Sequence, residues 1–220
     1  MFAVIFEVQP RQERFDDYLE LAKLLKPELE KIDGFIDNER YRSRSDAGRI
    51  LSLSIWRDEK AVIRWRTLGA HHEVQEQGRR EVFRDYHLRV GEIVADTGLP
   101  ERATLPQQRL DETEIGDAKA VTITELKPGG EASHVDVAAE LGLPASVTER
   151  EVFESIYNQG KLLLLAGWRD RAAPAAWQPH GAAGPALRHR VVRIVRDYGM
   201  HDRREAPQYY PPASEAVPKA

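Results

Sequence analysis

Between Trp65 and Tyr86 the chain carries His71, His72, Gln75 and Arg79. Together these side-chain types suit one kind of chemistry, in which a carbon acid or phenol gives up a proton and the resulting anion is held. An imidazole has an unperturbed pKa near neutrality and can serve as a general base. Tyrosine and arginine donate hydrogen bonds to an oxyanion. Tryptophan walls an aromatic pocket. Trp65, Tyr86 and the two histidines are the candidate catalytic groups. Trp56, Gln75 and Arg79 are the candidate substrate contacts. Glu7 is a further candidate base if its carboxylate turns into a pocket; a carboxylate on a strand more often faces solvent. No metal ligand is expected, because His71 and His72 diverge by about 100° on a helix and no HxxxH or facial-triad spacing accompanies them. Trp65 and His72 are seven residues apart and share a helix face, which makes His72 the inward histidine by periodicity. His71 lies one turn before Gln75, within bonding reach of it.

These residues need a scaffold. Residues 2–8 read as a strand. Residues 12–32 read as a helix with Phe15, Leu19, Ala22, Leu25 and Leu29 near 3.6 spacing, kinked or stopped early at Pro27. A second strand covers 35–44, a turn 46–48 and a third strand 49–57. Asp58 caps a helix expected over 59–83, with breaks open at Gly69 or Gly78. A fourth strand covers 86–93. The order β-α-β-β-α-β is the ferredoxin-like split unit.

The unit occurs twice. Residues 48–58 (GRILSLSIWRD) recur as 160–170 (GKLLLLAGWRD), an offset of 112 that also relates Trp65 to Trp177 and the RDY triplet at 84–86 to that at 196–198. Residues 3–10 resemble 121–128 at an offset of 118. We read a first repeat over 1–95, a linker over 96–117, a second repeat over 118–202 and a proline-rich tail over 203–220. A single unit leaves one sheet face bare, yet the third strand of each copy is apolar at consecutive positions, as strands buried on both faces are. The expected fold is therefore α+β, with two tandem repeats pairing their antiparallel sheets into an intrachain barrel. Pairing of two chains stays open.

The 220 residues hold no cysteine, which excludes disulfide scaffolds, thiolate metal sites and a thiol nucleophile. A net charge of −4 with 31% charged residues lacks the basic excess of a nucleic-acid binder. No apolar run approaches the ~18 residues of a membrane span. The start reads as a strand rather than a signal peptide, and the cytoplasm is the default location. No GxGxxG or Walker loop is present; residues 126–130 (LKPGG) read as a turn. Arg79-Arg80 and the arginines at 40, 42 and 44 are balanced by acids and read as part of a solvated face.

The run Trp65, His71, Gln75, Gly78, Arg79, Phe83, Tyr86, Arg89, Val90 resembles the antibiotic biosynthesis monooxygenase family. The resemblance covers most of the first repeat and touches the second through its Trp-Arg-Asp signature. It implies the dimeric α/β-barrel fold and favours His71 over His72 as the matching histidine. It also implies oxidation of a small aromatic or quinol-type molecule by O2 without a cofactor; the other reading is a non-catalytic small-ligand binder of the same fold. A haem-degrading relative would carry an asparagine on the first strand and a histidine where Gln75 stands; both are missing. In the second repeat His71 and His72 map to Ala183 and Gly184, and Pro174, Pro179 and Pro185 interrupt any helix. Any active site is therefore expected in the first repeat.

Overall fold

The computed structural model describes residues 1–100, 103–128, 136–179 and 187–207. In order, the elements are β1 (Phe2–Pro10), α1 (Phe15–Glu30), β2 (Phe35–Ser43), β3 (Ile50–Trp56), α2 (Glu59–Thr67), α3 (Gly69–Gln77) and β4 (Phe83–Asp96). There follow β5 (Ala120–Leu126), the short α4 (Val137–Glu140), β6 (Glu149–Ser155), β7 (Leu162–Trp168) and β8 (Arg188–Gly199). The eight strands close into one antiparallel barrel in the order β1-β3-β2-β6-β7-β5-β8-β4. The halves meet at two seams. β4 and β8 pair along residues 87–96 and 190–199, while β2 and β6 pair only along 41–43 and 153–155. The tandem α+β barrel expected from the repeats is therefore what forms, and each strand has a hydrogen-bonded neighbour on both sides, although the β2–β6 seam is short.

Both faces of the strands are buried, which explains their unbroken apolar runs. Ala3 and Ile5 of β1 point into the barrel, where they join Leu51, Leu53, Ile123, Leu163 and Val192 in one core drawn from both repeats. The alternate residues Phe2, Val4, Phe6 and Val8 face outward and meet the helices. Glu7 shares the inward parity of Ala3 and Ile5. It is 3% exposed and accepts hydrogen bonds from Arg89 and Arg49. Its counterpart Glu125 accepts from Arg190, and that pairing helps hold Glu125 near pKa 2 against the cost of burial.

Strand register corrects one repeat match. Phe2 lies opposite Glu92 in β4, and its counterpart Ala120 lies opposite Arg193 in β8, so β4 maps onto β8 with an offset of 101 (92 to 193). The RDY triplets at offset 112 are not equivalent positions. Tyr198 instead pairs beside Leu88, at the same end of the barrel as Tyr86.

Helix expectations also shift. α1 continues through Pro27, with no earlier stop. The expected 59–83 helix is three pieces. Asp58 caps α2 by accepting from the Ala61 N–H. Leu68 adopts extended backbone (φ −64°, ψ 128°) and separates α2 from α3. A π-helical turn, Gly78–Val82, follows α3. β4 begins at Phe83, earlier than the expected residue 86.

The second repeat has no matching pair of long helices among its described residues. Its outer face is packed by Leu162, Leu164, Trp168, Trp177 and the α4 residues Val137 and Ala138. The Trp177 indole donates to the Leu141 carbonyl at 3.2 Å and sits 5.8 Å from the Trp168 ring. His180, Ala183, Gly184, Pro185, part of the LKPGG turn and the tail from 208 onward lie outside the described residues.

Candidate active site

The outer face of the first repeat is not filled. Between α1, α2, α3 and the outward residues of the barrel lies a cavity of about 190 Å³. Val4, Phe6, Ala22, Leu25, Val62 and Val90 form much of its apolar wall. Trp65, His71, Gln75, Arg79 and Tyr86 all border it, so five of the residues singled out in the sequence come together. Glu7, Trp56 and His72 do not border it. Glu7 is turned into the barrel. Trp56 is fully buried, donating to Ser54 Oγ at 2.9 Å and stacking edge-on to Phe35. His72 is exposed on the outer side of α3.

The choice between the histidines follows from Leu68. Its extended backbone resets the helical phase between Trp65 and the histidines, so counting 3.6 residues per turn across it picks the wrong one. After the reset, the His71 ring stacks on Trp65, with centroids 4.1 Å apart and planes 17° apart. His71 Nδ1 lies 3.0 Å from the Trp65 carbonyl oxygen. A carbonyl only accepts, so Nδ1 carries the proton and Nε2 keeps its lone pair. The Gln75 amide nitrogen, 3.4 Å away, donates toward that Nε2. Burial lowers the His71 pKa to about 4, outweighing the carbonyl bond that would raise it. The result is a neutral imidazole, fixed in one tautomer, at the edge of an apolar cavity.

Tyr86 occupies the other end of the same strip. His71, Gln75 and Arg79 follow at four-residue spacing along α3 and into the π turn. Arg79 donates to Tyr86 Oη, and Arg203 donates to the same oxygen at 2.5 Å. Arg203 lies beyond β8, in the stretch the sequence suggested was a coreless tail. Tyr198, also in the lining, has its phenol pushed up to about 12 by burial.

Sequence reasoning missed the cationic lining. Arg40, Arg66, Arg196 and Arg203 border the cavity beside Arg79. Arg40 and Arg79 thus belong to the cavity and not to a solvated face. A signal for Arg40 and Arg196 existed in period-two spacing: Asn38 and Arg40 on β2, and Arg196 and Tyr198 on β8, each share a strand face. Among the described residues no group of three His, Asp or Glu side chains is placed to hold a metal ion. No described helix is long and apolar enough to cross a membrane.

Known proteins place this geometry in a family. Residues 1–77 match the family model described as antibiotic biosynthesis monooxygenase. A protein of Pyricularia oryzae named jasmonate monooxygenase is 43% identical over 222 residues, covering 97% of this chain and all of that protein. Among solved structures, an aldoxime dehydratase aligns over 88% of this chain and 80% of its own, with a TM-score of 0.52 and 13% identity, a likeness of fold alone. A structure titled antibiotic biosynthesis monooxygenase aligns over 41% of this chain and 95% of its own, with a TM-score of 0.38 and 16% identity.

Proposed function

The chain belongs to the antibiotic biosynthesis monooxygenase family, and from that membership we propose that it oxidises a small molecule with O2 in the first-repeat cavity, without an added cofactor. The observation that carries this reading is His71: a neutral imidazole with one tautomer, stacked on Trp65 and bordering a largely apolar cavity. Such a group is unprotonated near neutral pH but weakly basic, so the reading requires the lining cations to raise the acidity of the bound substrate. The substrate class is one whose anion is stabilised by conjugation to oxygen: a phenol, quinol, anthrone or enolisable ketone. The jasmonate in the relative's name, which carries a ring ketone, joins that panel.

The reaction balances with O2 as sole oxidant. For an anthrone or an enolisable ketone, His71 Nε2 removes a proton from the CH2 group conjugated with the carbonyl. The positive field of the lining arginines steadies the carbanion charge, which is spread onto oxygen. The carbanion passes electrons to O2, and a C–O bond forms, giving a hydroperoxide after reprotonation from His71. Loss of the remaining C–H proton with cleavage of the O–O bond releases water and leaves a carbonyl. One substrate CH2 and one O2 become one C=O and one H2O.

The test is O2 uptake by metal-free, flavin-free protein against anthrones, quinols and jasmonate, with product mass measured after supplying 18O2. Uptake above autoxidation, one 18O in the product and loss in His71→Gln but not His72→Gln support the reading. Uptake unchanged in His71→Gln, or none with any substrate, overturns it.

A further inference from the structure

The floor of the cavity is the outer face of the sheet, and strand register fixes its layout. Across β2 and β3, Asn38 lies opposite Ser54 and Arg40 opposite Ser52. On the other side of those serines, in β1, lie Val4 and Phe6. All six residues border the cavity. The β1 side of the floor is hydrocarbon, and the β2 and β3 side is polar. The barrel itself does not require that polarity. The offset of 112 carries Arg40 to Val152 and Ser52 to Leu164, which the second ladder again sets opposite each other. Leu164 belongs to the packed face of the second repeat.

Ser52 has a proton to give. Asn38 Nδ2 lies 3.0 Å from the Leu53 carbonyl oxygen. A carbonyl only accepts, so the amide is turned with its nitrogen toward it. The same nitrogen donates to Ser52 Oγ at 3.1 Å. Both amide protons are thereby committed, and Ser52 Oγ is the acceptor. A hydroxyl that accepts still carries its own proton, and Ser52 Oγ donates to none of the described residues. Accepting from Asn38 also polarises the hydroxyl and strengthens it as a donor. Ser52 keeps partial exposure at the cavity floor, whereas its neighbours Leu51 and Leu53 are buried. Ser54 has a different duty, since its oxygen takes the Trp56 indole N–H.

We propose that Ser52, oriented by Asn38, donates a hydrogen bond to the carbonyl oxygen of the substrate, and that the substrate is a ketone whose apolar body lies over Val4 and Phe6. This deepens the reading above and rests on the cavity being the substrate site. It selects the ketones from the panel, because a carbonyl oxygen brings lone pairs and no proton, the complement of a hydroxyl whose proton lacks an acceptor. It also meets the need left by a weak base. A donor at the carbonyl oxygen stabilises the enolate formed when the neighbouring C–H is lost, so that C–H becomes more acidic. His71 borders the cavity from α3 and Ser52 from β3. The first serves the carbon and the second the oxygen. Asn38 is a positioning residue, acting through Ser52.

The test reads affinity and a bond vibration under argon, so it stands apart from turnover. Two ketone and hydrocarbon pairs of matched shape serve as probes: fluorenone with fluorene, and anthrone with dihydroanthracene. The infrared C=O stretch of bound fluorenone is expected to lie below its value in hexane. Ser52→Ala is expected to return the stretch toward the hexane value. It is also expected to lower the ketone-to-hydrocarbon affinity ratio about threefold to tenfold, the net worth of one hydrogen bond. Ser52→Thr, which keeps a hydroxyl, is expected to hold both. Asn38→Ala frees that hydroxyl to rotate and is expected to broaden the band and give an intermediate ratio. Thermal melts establish that each variant is folded. An unchanged stretch and ratio in folded Ser52→Ala, or no binding of either ketone, would overturn the proposal. If the ketones bind with the lowered stretch but no O2 is consumed, the carbonyl site stands and the monooxygenase reading fails. If O2 uptake depends on His71 while Ser52→Ala alters neither readout, the monooxygenase reading stands and the carbonyl site fails.

Discussion

Acid separates His71 from an ordinary histidine. Its pKa is lowered from 6.5 to about 4 because its ring is buried against Trp65. At pH 5.5 a free imidazole is about 90% protonated, whereas one titrating at 4 is about 3% protonated. The difference of two and a half pKa units corresponds to about 3 kcal/mol. The sign follows from linkage. Between pH 6.5 and 4 the unfolded chain takes up a proton at residue 71 and the folded chain does not. His71 therefore contributes stability that is fully present above pH 6.5 and is lost as pH falls toward 4. The assay is a side-chain 15N NMR titration, which reports both midpoint and tautomer. It is expected to show Nδ1–H at neutral pH and a midpoint near 4. Trp65→Ala opens the ring to water and is expected to move the midpoint up toward 6.5. In parallel, kcat/KM at pH 5.5 is expected to stay within about twofold of its value at pH 7.5, where a normal base would lose about tenfold. A midpoint at or above 6, or one unmoved by Trp65→Ala, would refute the reasoning.

Other perturbations test the frame around the site. Glu7→Gln leaves Arg89, only 1% exposed, short of one carboxylate, and is expected to cost about 3 kcal/mol or more by urea melt. Ligand affinity is expected to be unchanged, because Glu7 faces the barrel and not the cavity. Gly78→Ala would place a Cβ 2.6 Å from the Phe83 ring at the cavity wall; overpacking is expected to cost about 1–3 kcal/mol and weaken ligand binding together. Ala22→Phe projects into the cavity from α1 and is expected to abolish binding in calorimetry while the protein still melts cooperatively. His189 is also lowered to about 4 by burial, so His189→Gln is expected to flatten the stability slope between pH 6.5 and 4.

Much of the fold is legible because the tryptophans mark equivalent turns. Trp56 and Trp168 end the third strand of each repeat, and the apolar runs before them require cover on both faces. Less of the site is legible, for three physical reasons. Unbroken apolar strands carry no alternation, so the parity that turns Glu7 inward is invisible until Ala3 and Ile5 are placed. A single extended residue, Leu68, changes the helical phase without any proline to announce it. Antiparallel register decides which tyrosines meet, and an identical RDY triplet at a constant offset imitates an equivalence that the ladder does not make. The arginines escape notice for a related reason: each reads as one more surface charge on its own element, and only closure brings them to one space.

The two outer faces of the barrel have different fates, one hollow and one packed with Trp168 and Trp177. A barrel made from two identical chains would offer two equivalent binding places, with statistical factors and the means for one occupant to influence the other. A tandem chain breaks that equivalence. If ligand enters the hollow of the first repeat and the packed face of the second takes none, titration should follow a simple hyperbola with a Hill coefficient of one. The packed half, freed from holding a ligand on its own face, can specialise in shaping its neighbour's. A single polypeptide thus acquires the division of labour that an assembly of two different subunits would otherwise need to evolve.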